Sequence, residues 1–102
     1  MSNRRLELHE KLCTILGSRN VYYQPPETVK MKYPAIVYGL SGILKKYAND
    51  RVYNSKRQYS VIIIDKNPDS DIVDRMEQQI LCSFDRHYEA DNLNHDVFTV
   101  FY

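Results

Sequence analysis

The sequence predicts a single α+β domain with the element order α-β-β-β-α-β-β. Its 102 residues are enough for one hydrophobic core, and 43% of them are hydrophobic, which is ordinary for a globular chain. Two stretches have the helical period of apolar residues, and the other apolar runs alternate as strands do. We therefore expect one domain over residues 1–102, with an antiparallel or mixed β-sheet, two helices on one face and a projecting β-hairpin.

The first helix is predicted between Asn3 and Gly17, where the apolar residues fall within one half-turn of the helical wheel. Asn3 is suited to cap its start and Gly17 to end it. His9 lies at the edge of the apolar arc, which favours a partly buried, hydrogen-bonded histidine over a catalytic one. A short strand at residues 21–23 follows, and it is closed by Gln24 and two prolines, which cannot donate to a sheet.

A long β-hairpin is predicted in the middle of the chain. Alternating β-branched and aromatic residues run from Tyr33 to near Tyr47. A second run, from Lys56 to Asp65, contains the segment VIII at 61–64, which is apolar on both faces, as is typical of a strand that is central or covered on both sides. The polar connection between them turns at Asn49-Asp50, and the outer half of the hairpin is expected to project beyond the core.

The second helix is predicted to have its cap at Asn67, with Pro68 at its first position and acids in its first turn. The apolar stripe from Ile72 to Ile80 packs on the sheet. A short segment around Arg86 to Tyr88 leads to a last strand, Asp96 to Tyr102, that is apolar on both faces and so clamped within the sheet or against a neighbour. One core should contain Leu12, Leu16, Val61, Ile63, Ile72, Met76, Ile80 and Phe98.

Charge is distributed unevenly along the chain. Residues 1–51 hold nine Lys/Arg and four Asp/Glu, whereas residues 52–102 hold five and nine. The net charge is only +1, so the whole-domain basic field of a DNA-binding protein is absent. The start of the chain does not follow a signal-peptide pattern, and no apolar run approaches a membrane span, so a cytoplasmic protein is expected. Cys13 and Cys82 fall on predicted apolar helical faces, where free thiols are expected.

The sequence gives little support for a metal site or a catalytic site. Alternate polar residues from Asp65 to Asp71 match the first ligand positions of a calcium loop, but the glycine and the bidentate glutamate of that loop are missing. Helix capping accounts better for these acids. His87 and His95 lie among acids in an ordinary polar loop, and phosphate-loop, serine-hydrolase and zinc-protease motifs do not occur. We expect no catalytic, cofactor or metal residue, and no enzyme.

A basic, tyrosine-rich surface is a candidate binding site, because such surfaces bind single-stranded nucleic acid. The alternative is a solvated hairpin whose lysines discourage aggregation between strand edges. The alternative is favoured, since no RNA-binding signature accompanies the charge. The residues concerned are Lys30, Lys32, Lys45, Lys46, Arg51, Lys56 and Arg57, interleaved with Tyr33, Tyr47, Tyr53 and Tyr59.

Three stretches are distinctive when taken together: SRNVYYQPP at 18–26, MKYPAIVY at 31–38 and DNLNHDVFTVFY at 91–102. With the strand and helix start between them, they resemble the small tail-completion proteins of long-tailed bacteriophages. That group includes the tail terminators and the tail-to-head joining proteins. The likeness covers nearly the whole chain.

The resemblance implies a structural virion protein that assembles with copies of itself into a ring, commonly a hexamer, on the head-proximal end of the tail tube. There it would stop tube growth and join the tube to the head connector. Its partners would be the tail tube protein and the head connector protein, and DNA would pass through the lumen without sequence-specific binding. It would occupy the virion tail after assembly in the host cytoplasm, away from membranes.

The residues themselves predict where such a ring would make contacts. The opposite charges of the two chain halves suit unlike patches that meet head to tail. The hairpin tip carries tyrosines that a solvent-exposed loop would not need. The alternative function is a small binding module that uses this hairpin on single-stranded nucleic acid. The predicted interface consists of Lys45, Lys46, Tyr47, Asn49, Asp50, Arg51, Tyr53, Phe101 and Tyr102.

Overall fold

The computed structural model describes residues 4–25, 30–48 and 51–102, and for residues 44–48 and 51–56 it describes the backbone alone. The elements occur in the predicted order, which confirms the α+β fold. The helices are α1 (Arg4–Leu16) and α2 (Asp71–Gln79). The strands are β1 (Val21–Tyr23), β2 (Ala35–Ala48), β3 (Arg51–Asp65), β4 (Cys82–Ala90) and β5 (Leu93–Phe101).

The strands form one five-stranded mixed sheet in the order β1-β2-β3-β5-β4. β1 pairs with β2 in parallel, and the other three pairings are antiparallel. β3 lies between β2 and β5, in the central position predicted from its two apolar faces. β5 likewise has a neighbour on each side, so the C-terminal strand is clamped within the sheet.

The core lies between the two helices and one face of the sheet. Inward-facing residues of the strands meet the apolar stripes of α1 and α2 in one cluster. Two tyrosines, Tyr38 and Tyr59, belong to this cluster and are only 1% and 2% exposed. The predicted core is confirmed, because the cluster contains Leu12, Leu16, Val61, Ile63, Ile72, Met76, Ile80 and Phe98.

The C-terminal end of α1 is fixed by two hydrogen bonds. Gly17, with φ of 84°, ends the helix as predicted, and its N–H donates to the Cys13 carbonyl at 2.8 Å. Arg75 of α2 donates from Nε to the Ile15 carbonyl at 2.7 Å. One orphan carbonyl of α1 is thereby satisfied, and the two helices are joined. Asn3, predicted to cap the other end, lies outside the described residues.

The start of α2 differs from the prediction. The Ser70 hydroxyl, and not the Asn67 amide, accepts the Ile72 N–H at 3.3 Å. Asp65 Oδ1 accepts the Asn67 N–H at 3.1 Å, and Asn67 Oδ1 accepts the Asp69 N–H at 3.0 Å. The predicted cap at Asn67 is wrong because these two consecutive Asx turns occupy its side chain and delay the helix until after Ser70.

Strand β4 is longer than the predicted segment around Arg86 to Tyr88, because it begins at Cys82. Cys82 therefore lies in a strand and not on a helical face. A bulge interrupts β4 between Phe84 and Arg86. Asp91-Asn92, with φ of 54° and 62°, forms the two-residue loop that joins β4 to β5, which is the geometry of a tight hairpin.

β2 and β3 continue past the sheet as a two-stranded ribbon, defined here as residues 42–48 and 51–57. β1 pairs with β2 only as far as Tyr38, and β5 pairs with β3 only as far as Gln58. β2 and β3 remain paired with each other up to Ala48 and Arg51. The ribbon is the projecting hairpin that the sequence predicted, and it lengthens a molecule of 51 × 23 × 22 Å. The predicted turn at Asn49-Asp50 lies outside the described residues.

Truncating a core leucine should destabilise the fold far more than truncating a surface leucine. Leu12 is 0% exposed, and Leu81 is 62% exposed. We expect Leu12→Ala to lower the free energy of unfolding by about 2–5 kcal/mol, whereas Leu81→Ala should lower it by less than about 0.5 kcal/mol. Urea denaturation followed by circular dichroism measures both changes. Equal losses in the two variants would contradict the assigned core.

The observed cap predicts that Ser70→Ala lowers the free energy of unfolding by about 1 kcal/mol, because the Ile72 N–H loses its acceptor. Asp69→Asn is the matched control, since the Asp69 side chain does not cap α2, and it should change stability little. Thermal denaturation of both variants is the measurement. A larger loss in Asp69→Asn than in Ser70→Ala would overturn the assignment of the cap.

Candidate interaction surfaces

The base of the ribbon exposes aliphatic side chains. Leu40 is 39% exposed and Ile43 is 46% exposed. Between them a bulge shifts the strand register, and a Cβ at Gly42 would lie 2.7 Å from Gln58 Oε1, so the Gln58 side chain lies close over the glycine backbone. The ribbon base therefore leaves two large aliphatic side chains in contact with solvent.

The ribbon also contains most of the predicted interface residues. Among the described residues, its two strands pair only with each other. Apart from the Arg57 carbonyl, which accepts the Tyr102 N–H, their outer edges therefore present backbone N–H and C=O groups without strand partners. Asn49 and Asp50 lie outside the described residues. The predicted interface residues within the ribbon strands are Lys45, Lys46, Tyr47, Arg51 and Tyr53.

The C-terminal residues of the predicted interface lie at the ribbon base. Phe101 ends β5, is partly buried and pairs with Gln58. Tyr102 packs against the core cluster, and its N–H donates to the Arg57 carbonyl at 3.0 Å. These two residues and the ribbon base therefore lie at the same level of the sheet.

Two tyrosines serve the core and not a binding surface. The Tyr38 hydroxyl is hydrogen-bonded to His9 Nδ1 at 2.8 Å, which confirms the predicted partly buried histidine. The Tyr59 ring lies 6.1 Å from the Tyr38 ring, and burial raises the pKa of both hydroxyls. The candidate basic aromatic surface therefore does not include Tyr59, because Tyr59 lies on the strand face that the helices cover.

A groove of about 420 Å³ lies between α2 and the strands β4 and β5. Val73 and Phe84 supply its apolar lining. Phe84 touches Phe98 edge-on, with 5.4 Å between ring centroids, yet remains 50% exposed. Four carboxylates complete much of the lining: Asp69, Asp74, Glu77 and Asp96.

Three of these carboxylates differ from the fourth in their partners. Within the described part of the chain, Asp69, Asp74 and Glu77 make no ion pair. Asp74 lies in the first turn of α2, where the helix dipole favours an acid. Glu77 lies in the last turn, where the dipole disfavours one. Helix stability therefore does not account for the acid at position 77.

The fourth carboxylate is held by a histidine. Asp96 is 7% exposed, and its Oδ1 is 2.6 Å from His87 Nδ1. This hydrogen bond is the main cause that raises the pKa of His87. By contrast, burial chiefly lowers the pKa of His9. The hydrogen bond to His87 therefore fixes the orientation of the most buried carboxylate of the groove.

The described residues contain no group of three or more His, Cys, Asp or Glu side chains that could hold a metal ion. In the same part of the chain, no helix has the length and apolar character needed to cross a membrane. Cys13 and Cys82 are free thiols whose pKa is raised by burial. A scan of the sequence against protein-family models gives no match, and a search of curated proteins gives none either.

Sequence reasoning missed the groove, because its lining comes from the β3–α2 connection, α2, β4 and β5. Two signals in the sequence point towards it. Glu77 stands near the end of a helix that has no basic residue in its last turn. Phe84 stands in a stretch that is otherwise mostly polar. Neither signal shows that Glu77 and Phe84 lie in the same groove.

The His87–Asp96 pair should make stability depend on pH. Because folding raises the pKa of His87, the protonated pair stabilises the fold below the unfolded pKa of about 6.5, and this contribution is lost as the pH rises through the folded pKa. We expect the loss of unfolding free energy in His87→Gln to be larger near about pH 6 than near about pH 9. Urea denaturation at the two pH values measures it.

The histidine titrations provide a control. In NMR spectra of the unchanged protein, His87 should titrate at a higher pH than His9, since the pKa values are shifted in opposite directions. The assignment fails if His87→Gln loses equal stability at both pH values and the two histidines titrate together.

Proposed function

We propose that the protein is a structural component of a bacteriophage tail, which completes the tail tube and joins it to the head connector as a ring of its own copies. Its role requires no catalysis. Its partners are further copies of itself, the tube protein and the connector protein, and DNA passes through the ring without sequence-specific contacts. The resemblance of three sequence stretches to tail-completion proteins supports the class of the proposal.

The ribbon is the observation that carries the proposal. Ordering each strand residue costs about 1–2 kcal/mol of backbone conformational entropy. Contacts within a single chain offset little of this cost for the ribbon residues, because among the described residues each ribbon strand has a strand partner on one side only. A contact with another protein would offset that cost. A ribbon with exposed Leu40 and Ile43 at its base therefore fits a protein that functions in an assembly.

Two unlike surface patches on each protomer support the ring. A cyclic ring with head-to-tail contacts needs two different patches on each subunit. The ribbon and the acidic groove are two such patches, and they differ in shape and in the charge of their residues. A two-fold dimer would instead require one patch that is complementary to itself.

The double variant Tyr47→Ala, Tyr53→Ala tests the role of the ribbon. We expect its thermal unfolding midpoint to stay within a few degrees of the unchanged protein, because ribbon residues lie beyond the core. Tyrosines at the centre of an interface contribute about 2 kcal/mol or more. Ring formation, measured by native mass spectrometry, should therefore weaken at least about tenfold, and heads and tails should remain unjoined in a complementation assay.

Tyr33→Ala is the matched control, since Tyr33 is 38% exposed and precedes β2 outside the ribbon. It should leave both ring formation and head–tail joining unchanged. A double variant that folds and joins heads to tails at the normal level would overturn the proposal. So would a monomer that shifts labelled single-stranded DNA in a salt-sensitive manner, which is the behaviour of a nucleic-acid-binding module.

A further inference from the structure

The groove and the ribbon lie at different levels of the same strand. Asp96 in the groove pairs with Ile63 of β3, whereas Lys46 in the ribbon pairs with Asn54 of β3. About nine strand residues separate these two levels, which corresponds to about 30 Å. Because the paired strands hold the ribbon pointing away from the sheet, a ribbon cannot reach the groove of its own chain.

The two places carry opposite charges. The sequence from Lys45 to Arg57 contains five Lys/Arg and one Asp. The groove is lined by four carboxylates, three of which make no ion pair within the described residues. Complementary charges steer two surfaces together and disfavour contacts between like surfaces. A groove therefore attracts a ribbon and repels another groove.

The groove also has an apolar lining that suits the residues of the ribbon. Phe84 remains half exposed and Val73 partly buried, with the carboxylates around them. Lysine and arginine can pack their aliphatic stems on such a surface while their charged ends meet carboxylates. Tyrosines, of which the ribbon sequence has Tyr47 and Tyr53, add aromatic surface with a polar end.

We propose that the groove between α2 and β4 receives the ribbon of a second copy of this chain. The contact is heterologous, because each copy uses its ribbon on one side and its groove on the other. Repetition of the contact produces a closed ring when the rotation between copies closes, and a filament when it does not. The closed ring rests on the proposed function, whereas the docking of two copies does not.

Charge reversal on the two sides tests this contact. The groove variant is Asp74→Lys, Glu77→Lys, and the ribbon variant is Lys45→Glu, Lys46→Glu. Each variant alone should associate at least about tenfold more weakly than the unchanged protein in sedimentation velocity at low salt. An equal mixture of the two should regain association, because opposite charges then meet at both kinds of contact. The acidic ribbon of the ribbon variant meets the lysines of the reversed groove, and the basic ribbon of the groove variant meets the intact acidic groove. The chain with all four substitutions should also regain it.

The matched control is Glu7→Lys, Glu89→Lys, which changes the net charge equally on exposed acids that do not line the groove. It should associate like the unchanged protein. The proposal is overturned if the groove variant associates as well as this control, or if neither the mixture nor the four-substitution chain regains association.

An NMR titration detects association between the two variants that is too weak for sedimentation velocity. The ribbon variant, labelled with ¹⁵N, keeps its groove intact, and it is titrated with the unlabelled groove variant, which keeps its ribbon intact. Amide shifts should change along α2 and β4 and disappear at high salt. Unchanged spectra at about 1 mM protein would overturn the proposal. So would shifts that poly-lysine produces and the groove variant does not, since these would identify a different basic partner.

The outcomes separate the docking from the proposed function. If the copies dock as described and yet form no ring and join no tails, the docking stands and the tail role fails. If rings form and tails are joined while the groove variant is unimpaired, the tail role stands and the docking is overturned.

Discussion

The rest of the structure depends on the pairing of strand β3, which belongs to both the core and the ribbon. Its inner half is hydrogen-bonded on both sides, and Val61 and Ile63 are fully buried beneath the helices. The same strand continues past its β5 partner while still paired with β2. The packed core therefore fixes the place where the ribbon leaves the sheet, and the bulge between Leu40 and Gly42 lies at that point. The stability of the core and the position of the ribbon are therefore linked through one strand.

Polar side chains at the edge of the core are hydrogen-bonded within the fold. His9 is bonded to Tyr38, and Arg75 is bonded to a carbonyl of α1. Among the described residues, every buried side-chain nitrogen or oxygen atom has a hydrogen-bond partner.

Most of the fold could be predicted because apolar periodicity reports burial directly. The two apolar faces of β3 and β5 placed both strands inside the sheet, and the helical stripes gave the core. The local start of α2 was not predictable in the same way, since Asn67 and Ser70 both suit a cap and turn geometry decides between them. The length of strand β4 was underestimated because its exposed, mostly polar residues lack the alternation of a half-buried strand. The groove depends on how α2 packs against β4 and β5, which residue order alone does not specify.

The bulge between Phe84 and Arg86 makes β4 a poor template for a foreign strand. An edge strand of this length would otherwise invite irreversible stacking with other chains, particularly when many copies are made at once. The bulge twists the edge, and the charged side chains of Asp85 and Glu89 repel a regular stack. A strand from another chain would therefore find an irregular row of backbone partners along this edge, which leaves contacts at β4 to its side chains.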